Sequence, residues 1–154
     1  RQRQMCIRDS ANSDLKKIIS KSNLLCINYN EAVHLSGLKN HNLNEIAEYI
    51  LSLGSDSLII KQGEDGATFF DGNSSFSINA YPVNKVMDTT GAGDTFAGGI
   101  LSSKIAGKNM EESMIAGATM ASFCIENISH EGIVKVSDSE YKLRKEWIQS
   151  SLTY

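Results

Sequence analysis

One stretch constrains this chain more than any other: Asp88-Thr89-Thr90-Gly91-Ala92-Gly93-Asp94-Thr95-Phe96-Ala97-Gly98-Gly99. It follows a β-like run ending at Val86-Met87 and opens an apolar segment, so it reads as a glycine-rich turn feeding directly into a helix. The free amides of a helix's first turn, reinforced by the helix dipole, attract anions, and glycines let a phosphate approach the backbone. Asp94 then needs a reason of its own. A carboxylate among anion-binding amides either caps the helix or takes a proton from a group lying beside the anion. An anion-holding turn that carries a base is the arrangement phosphoryl transfer requires.

The rest of the chain sets the scale of the fold. A length of 154 residues is enough for one domain with a core, and 41% hydrophobic against 21% charged residues is ordinary for a soluble globular protein. The net charge of −3 is scattered without a basic run, which gives no electrostatic reason to expect nucleic acid or a membrane as partner. Small solutes are the expected partners. Cys6, Cys26 and Cys124 are odd in number and widely spaced, so they read as reduced thiols and point to the cytoplasm rather than to a disulfide framework or a zinc site. The most apolar stretch, Met114 to Ile125, is too short and too rich in small residues to span a membrane. Residues 1–10 have neither helical nor strand periodicity and resemble translated sequencing-adapter read-through. They read as a non-native tail, with a solvated natural tail as the alternative, and the domain is taken as 11–154.

Periodicity then orders the elements. Leu15, Ile18 and Ile19 recur at helical spacing behind Ser13, followed by a buried strand over Leu24–Ile27 and a short helix over Asn30–Ser36 closed by Gly37. Asn42 and Glu45 form a capping-box-like start to a helix with Leu43, Ile46, Ala47, Ile50 and Leu53 on one stripe. Ser57–Gln62 is the next strand. Strand, helix, strand implies parallel pairing through a right-handed crossover. Gly63-Glu64-Asp65-Gly66 makes a tight turn, and Ala67–Phe70 with Phe76–Tyr81 reads as a hairpin around Asp71-Gly72-Asn73. Beyond the glycine turn come a helix through Phe96, Ile100, Leu101 and Ile105, one boxed by Asn109 and Glu112, and one started by Ser137 and Glu140. In the last of these, Tyr141, Leu143, Trp147, Ile148 and Leu152 are expected to dock on the sheet. The class is α/β in one compact unit: a mostly parallel sheet flanked by helices, with an antiparallel portion.

Asp88 to Gly99 resembles, without a break, the second signature of the ribokinase-like or PfkB family of carbohydrate and nucleoside kinases. Two further stretches fall in the family's order: Asn28-Tyr29-Asn30-Glu31, similar to its Asn-x-x-Glu segment, and Ile60-Lys61-Gln62-Gly63-Glu64-Asp65-Gly66-Ala67, similar to its nucleotide-binding strand and turn. The resemblance covers residues 11–154 and implies a ribokinase-like fold, of which this chain carries the C-terminal part only. Members are about twice as long, and their first half supplies the acceptor pocket and a Gly-Gly signature that this chain lacks.

What the resemblance implies for the residues is specific. Asp94 is the base that accepts the proton of an acceptor hydroxyl attacking the γ-phosphoryl group of ATP, and the amides of Gly91, Ala92 and Gly93 hold the developing charge. Asn28, Lys61, Gly63 and Gly66 serve the nucleotide. Asn28 and Glu31 hold a hydrated Mg²⁺ through water, and Asp88 and Thr90 match a K⁺ site of relatives activated by monovalent cations. The residues alone leave plainer readings open. Asn28 can simply start the helix with Glu31 as a first-turn acid, and the glycines can serve their own turn. His34, His41 and His130 stand in polar surroundings and read as surface residues.

The function so implied is ATP-dependent phosphate transfer to an alcohol group of a sugar or nucleoside, carried by a fragment that is inactive alone. The full-length form is expected in the cytoplasm and is compatible with a homodimer. The alternative is a half-domain that binds nucleotide without turnover or serves as an interaction module. Unpaired strand edges would make the isolated chain poorly soluble.

Overall fold

In a computed structural model, residues 14–39, 41–127, 131–134 and 136–154 are described. The expectations for the 1–10 tail, Ser13 and His130 lie outside those residues. In chain order the elements are α1 (14–19), β1 (Leu25–Asn28), α2 (Tyr29–Ser36), α3 (Leu43–Leu51), β2 (Leu58–Lys61), a 3₁₀ turn (Gly63–Asp65), β3 (Ala67–Phe70), β4 (Ser75–Ile78), α4 (Ala92–Ile105), α5 (Met110–Ile125), α6 (Glu131–Val134) and α7 (Asp138–Ser150). The strands form one mixed sheet in the order β1-β2-β3-β4, so the α/β class with an antiparallel portion holds. The chain divides into two compact units interleaved in sequence. One takes the residues up to Ile60 with Phe69–Ser75, and the other takes Lys61–Thr68 with Phe76–Tyr154.

In the first unit, α3 begins where Asn42 Oδ1 accepts the amide of Glu45 at 2.9 Å. Its stripe then buries Ile46, Ala47 and Ile50 against Ala32 of α2, Leu58 and Ile60 of β2, and Phe70 of β3. Each fully buried Ile or Leu contributes on the order of 1.5–3 kcal/mol, so this cluster is the unit's main source of stability. One expectation, the buried strand, needs correcting here. The strand β1 is half-buried throughout: Leu25 and Ile27 reach the cluster, while Cys26 alternates to the opposite face. In α1 only Ile19 is buried, and Leu15 and Ile18 are exposed.

The second unit is built on α4 packed against α5, with α7 also against α5. The two longer helices meet through glycines. A Cβ at Gly99 would lie 2.7 Å from the Cα of Gly117, and one at Gly117 would lie 2.6 Å from the carbonyl oxygen of Phe96. Backbones therefore touch where side chains would ordinarily hold helices 8–10 Å apart. The helix α5 opens on the expected box: Asn109 Oδ1 accepts the Glu112 amide at 2.8 Å and Glu112 accepts the Asn109 amide.

Two sequence expectations fail in this unit, the β-like run into the glycine turn and the docking of the whole α7 stripe. Val86-Met87 belongs to no strand and both side chains are exposed, because the segment 79–90 is tied down by single hydrogen bonds rather than by a ladder. Leu101 and Ile105 face outward from α4, on the side away from α5. Of the α7 residues expected to dock, Ile148 is fully buried, whereas Leu143 is exposed and Trp147 turns its ring edge to Tyr81. The short helix α6 was not foreseen, since four residues are too few for a periodic signal.

Candidate phosphate-binding site

The segment 79–90 reaches α4 without regular structure and is shaped by its own side chains. Asp88 is half-buried, and its Oδ1 accepts the amide of Thr90 at 2.9 Å, which turns the chain. Gly91 follows in the left-handed conformation, φ +79° and ψ −4°, where a Cβ would be strained, and stands as the N-cap of α4 with no side-chain cap. The first helical bond runs from the Thr95 amide to the Gly91 carbonyl at 2.8 Å.

Of the three amides expected to hold charge, that of Ala92 donates to the Thr89 carbonyl at 3.2 Å. Those of Gly91 and Gly93 find no backbone carbonyl among the described residues, and neither does that of Asp94 itself. These are open donors at the positive end of a 14-residue helix. Asp94 is exposed at the third position of α4, so it is not the N-cap, and its carboxylate accepts no hydrogen bond from another described residue. No structural task consumes it.

Lys61 completes this part. It ends β2 half-buried, forms no ion pair among the described residues, and points its ammonium at the turn: a Cβ placed on Gly93 would lie 2.8 Å from Lys61 Nζ. The absence of a side chain at position 93 makes room for that charge. A cation and open amides converge at one helix start, and an oligophosphate fits such a donor set by its chemistry.

The two turn glycines serve different ends. Gly66, at φ +97°, would place a Cβ 2.0 Å from the carbonyl oxygen of Ile78, so its need is the packing of the turn on the end of β4. Gly63 has φ +67° and nothing within 4 Å of a built Cβ, which leaves its outer side open.

In the other unit, Asn28 and Glu31 engage each other. Asn28 Oδ1 accepts the Glu31 amide at 2.9 Å, and Glu31 Oε2 accepts the Asn28 amide at 2.8 Å, a reciprocal capping box that starts α2. The box leaves Glu31 Oε1 and the Asn28 amide nitrogen out of its bonds, and Glu31 is exposed. A magnesium ion that keeps most of its waters needs no more than one such oxygen, so the pair suits it. No group of three or more His, Cys, Asp or Glu residues that could cage a metal occurs among the described residues. His34 is exposed as expected, but His41 does not stand alone and pairs with Glu45.

Sequence reasoning missed the anchors of the turn. The Ile125 carbonyl at the end of α5 accepts the amides of Met87 at 2.7 Å and Asp88 at 3.3 Å, and the Cys124 thiol donates to the Thr90 carbonyl at 3.7 Å. A backbone carbonyl leaves no residue-type signal, so nothing in the sequence could have indicated it.

Comparison with known proteins adds an independent line. A family model for "pfkB family carbohydrate kinase" matches residues 1–132. The chain is 32% identical over 112 residues to a nucleoside kinase of Methanocaldococcus jannaschii, across 73% of this chain and 35% of that protein. It is 39% identical over 89 residues to a ribokinase of Staphylococcus aureus, across 56% of this chain and 29% of the relative. Among solved structures, Arabidopsis thaliana ribokinase complexed with ribose and ATP superposes with a TM-score of 0.75 at 24% identity, covering 85% of this chain and 43% of that one. The chain thus spans about a third of the length of these curated relatives.

Proposed function

Because this chain belongs to the PfkB family of carbohydrate kinases, we propose that it carries the phosphate-delivering part of an ATP-dependent kinase acting on an alcohol group of a sugar or nucleoside. The observation that carries the reading is the turn at 88–94: open amides at Gly91, Gly93 and Asp94 with Lys61 Nζ against Gly93.

In the proposed reaction, Asp94 accepts the proton of the acceptor hydroxyl as that oxygen attacks the γ-phosphorus of ATP. The bond from the γ-phosphorus to the bridging oxygen breaks, and ADP leaves with the electron pair. Such transfer demands positioning and charge stabilisation more than covalent chemistry from the protein. The amides at the start of α4 and the Lys61 ammonium supply the stabilisation, and a positioned base adds roughly 10²–10⁴-fold. Asn28 and Glu31 are the residues that would hold hydrated Mg²⁺, which would supply compensating positive charge. Asp88 and Thr90 flank the place proposed for K⁺.

Both classes of acceptor have relatives behind them, a nucleoside kinase and a ribokinase. The test is a phosphate-transfer screen with Mg·ATP against pentoses, hexoses, keto-deoxy acids and nucleosides, using the polypeptide that carries this chain, with K⁺ exchanged for Na⁺ in parallel. Asp94→Asn is expected to fold and bind nucleotide while losing most turnover. Turnover near the wild-type level in that variant would refute Asp94 as the base.

A second reading is nucleotide binding without turnover, which the open amides of the turn and Lys61 would serve equally well. Saturable ATP binding with no transfer to any acceptor would favour it.

A further inference from the structure

We infer that Arg144 is a positioning residue for the phosphate-binding turn, acting through the last turn of α5. The inference rests on the reading of residues 88–94 as the place where nucleotide phosphate binds. It concerns a residue that lies beyond the span matched by the family model.

The segment that delivers Asp88 to Gly91 has no helix or strand to hold it. Its course is set by ties at its two ends, one set on the end of α5 and the other on α7. At the far end, the Ile125 carbonyl takes the Met87 and Asp88 amides, and Cys124 reaches the Thr90 carbonyl. At the near end sits Tyr81, whose ring lies 4.8 Å under the Arg144 guanidinium and meets the Trp147 ring edge-on at 5.5 Å.

Arg144 joins the two ends. Its guanidinium stacks 3.9 Å from the Phe123 ring, donates to Ser122 Oγ at 3.1 Å and to the Glu126 carboxylate, and is only 13% exposed. Every α5 partner it holds lies within three residues of Ile125, the carbonyl that anchors the turn. A planar cation between two aromatic faces, with its edge committed to a carboxylate and a hydroxyl, fixes orientation as well as distance. Lysine has neither the plane nor the fork. Gly93 and Asp94 ride on α4, but the irregular segment that leads into Gly91 contains nothing rigid of its own, and Arg144 supplies that rigidity from α7.

The test replaces the ion pair as a unit, because removing the arginine alone strands the Glu126 carboxylate and would confuse destabilisation with displacement. The 154-residue chain, Arg144→Met/Glu126→Gln, Arg144→Lys, and Ile148→Val as a purely packing lesion on the same helix are compared. Urea unfolding, Mg·ADP affinity by calorimetry and the amide resonances of Gly91 and Gly93 are read for each.

The expected result is that the double variant keeps an unfolding midpoint near wild type, shifts both glycine resonances, and binds Mg·ADP roughly 10-fold more weakly, a modest displacement of the donors being enough for that. Arg144→Lys is expected to fall between, and Ile148→Val to bind as wild type despite a lower midpoint. Unchanged affinity in the double variant, or affinity that tracks the midpoint across all variants, would overturn the inference. If the wild-type chain itself fails to bind Mg·ADP, the reading of the turn fails first, which separates the two outcomes. If the double variant does not fold, Arg144→Lys, which retains the charge opposite Glu126, decides by the same comparison.

Discussion

Gly93→Ala separates the electrostatic role of the turn from its stability. A Cβ at position 93 would stand 2.8 Å from Lys61 Nζ, against an ordinary contact of 3.4 Å or more, and beyond its own helix the only other atom within 4 Å among the described residues is Lys61 Cε at 3.9 Å. The backbone has room and φ there is not in the left-handed region, so the new methyl meets nothing but the end of a flexible side chain. Alanine is also the better helix former by about 0.8–1 kcal/mol in a helix interior, less in a first turn. Folding stability should therefore hold or rise slightly.

The ammonium, however, must retreat by at least about half an ångström. At an effective dielectric constant of ~20, a unit charge pair near 4 Å loses about 1 kcal/mol for each ångström of added separation. Two to three phosphate charges then cost the complex about 1–2 kcal/mol, roughly 5–30-fold in affinity. Calorimetric titration of the chain with Mg·ADP beside a urea melt reads both quantities. Lys61→Met should lose more than Gly93→Ala, since it removes the charge instead of moving it. Equal Mg·ADP affinity in wild type, Gly93→Ala and Lys61→Met would refute the assignment of Lys61 to the phosphates.

Three further outcomes are expected. Gly98→Ala, with nothing within 4 Å of the new Cβ, should stabilise the chain by up to about 1 kcal/mol, whereas Gly99→Ala, facing Gly117 Cα at 2.7 Å, should destabilise it by about 1–2 kcal/mol net; chemical denaturation of the two neighbours must give opposite signs. The amides of Ser74 and then Asn73 hold the Asp71 carboxyl below its ordinary value of 3.8, so its contribution to the β3–β4 turn is present above that value and is lost as pH falls through the lowered one. An NMR titration midpoint at or above 3.8, or an acid-unfolding profile unchanged in Asp71→Asn, would contradict this. Leu101→Glu/Ile105→Glu should leave the urea midpoint of the chain nearly unchanged, within about 0.5 kcal/mol, and reduce self-association in sedimentation runs, since these side chains are 63% and 79% exposed.

What was legible in the sequence follows physical locality. Helix starts came through because their determinants are three residues apart: Asn42 with Glu45, Asn109 with Glu112 and Ser137 with Glu140 all cap where expected. Asn28 and Glu31 cap a fourth helix, here as a reciprocal box, a start that sequence reading offered only as the plainer alternative to a magnesium site. The hairpin turn was legible for the same reason, Asp71 bonding residues two and three ahead. Burial was read less well. Periodicity shows which residues share a face, not whether another element covers it: Leu143 shares the docking stripe of α7 with the buried Ile148 and yet is exposed. Least legible were pairings far apart in sequence with no motif, such as Lys61 with Gly93 and Arg144 with Phe123.

The glycines of the opening stretch make the same point at finer grain, since one letter stands for three different demands and one position without any. Gly91 is required by a left-handed backbone, Gly93 by the space an ammonium occupies, and Gly99 by the backbone of the neighbouring helix, while a Cβ at Gly98 would meet nothing within 4 Å beyond its own helix among the described residues. A motif match treats these positions alike, but a substitution would not: strain at 91, displaced charge at 93, overpacking at 99 and relief at 98. Only the first two bear on phosphate. The chemistry of the stretch is therefore concentrated in Gly91 to Asp94 with Lys61, and the rest of the signature, Phe96 through Gly99, fastens α4 to α5 so that the helix start stays where the Ile125 carbonyl holds the turn. Rigidity of that helix pair and precision of the anion site are one requirement, and loosening the Gly99–Gly117 contact should weaken nucleotide binding even though neither residue approaches the phosphates.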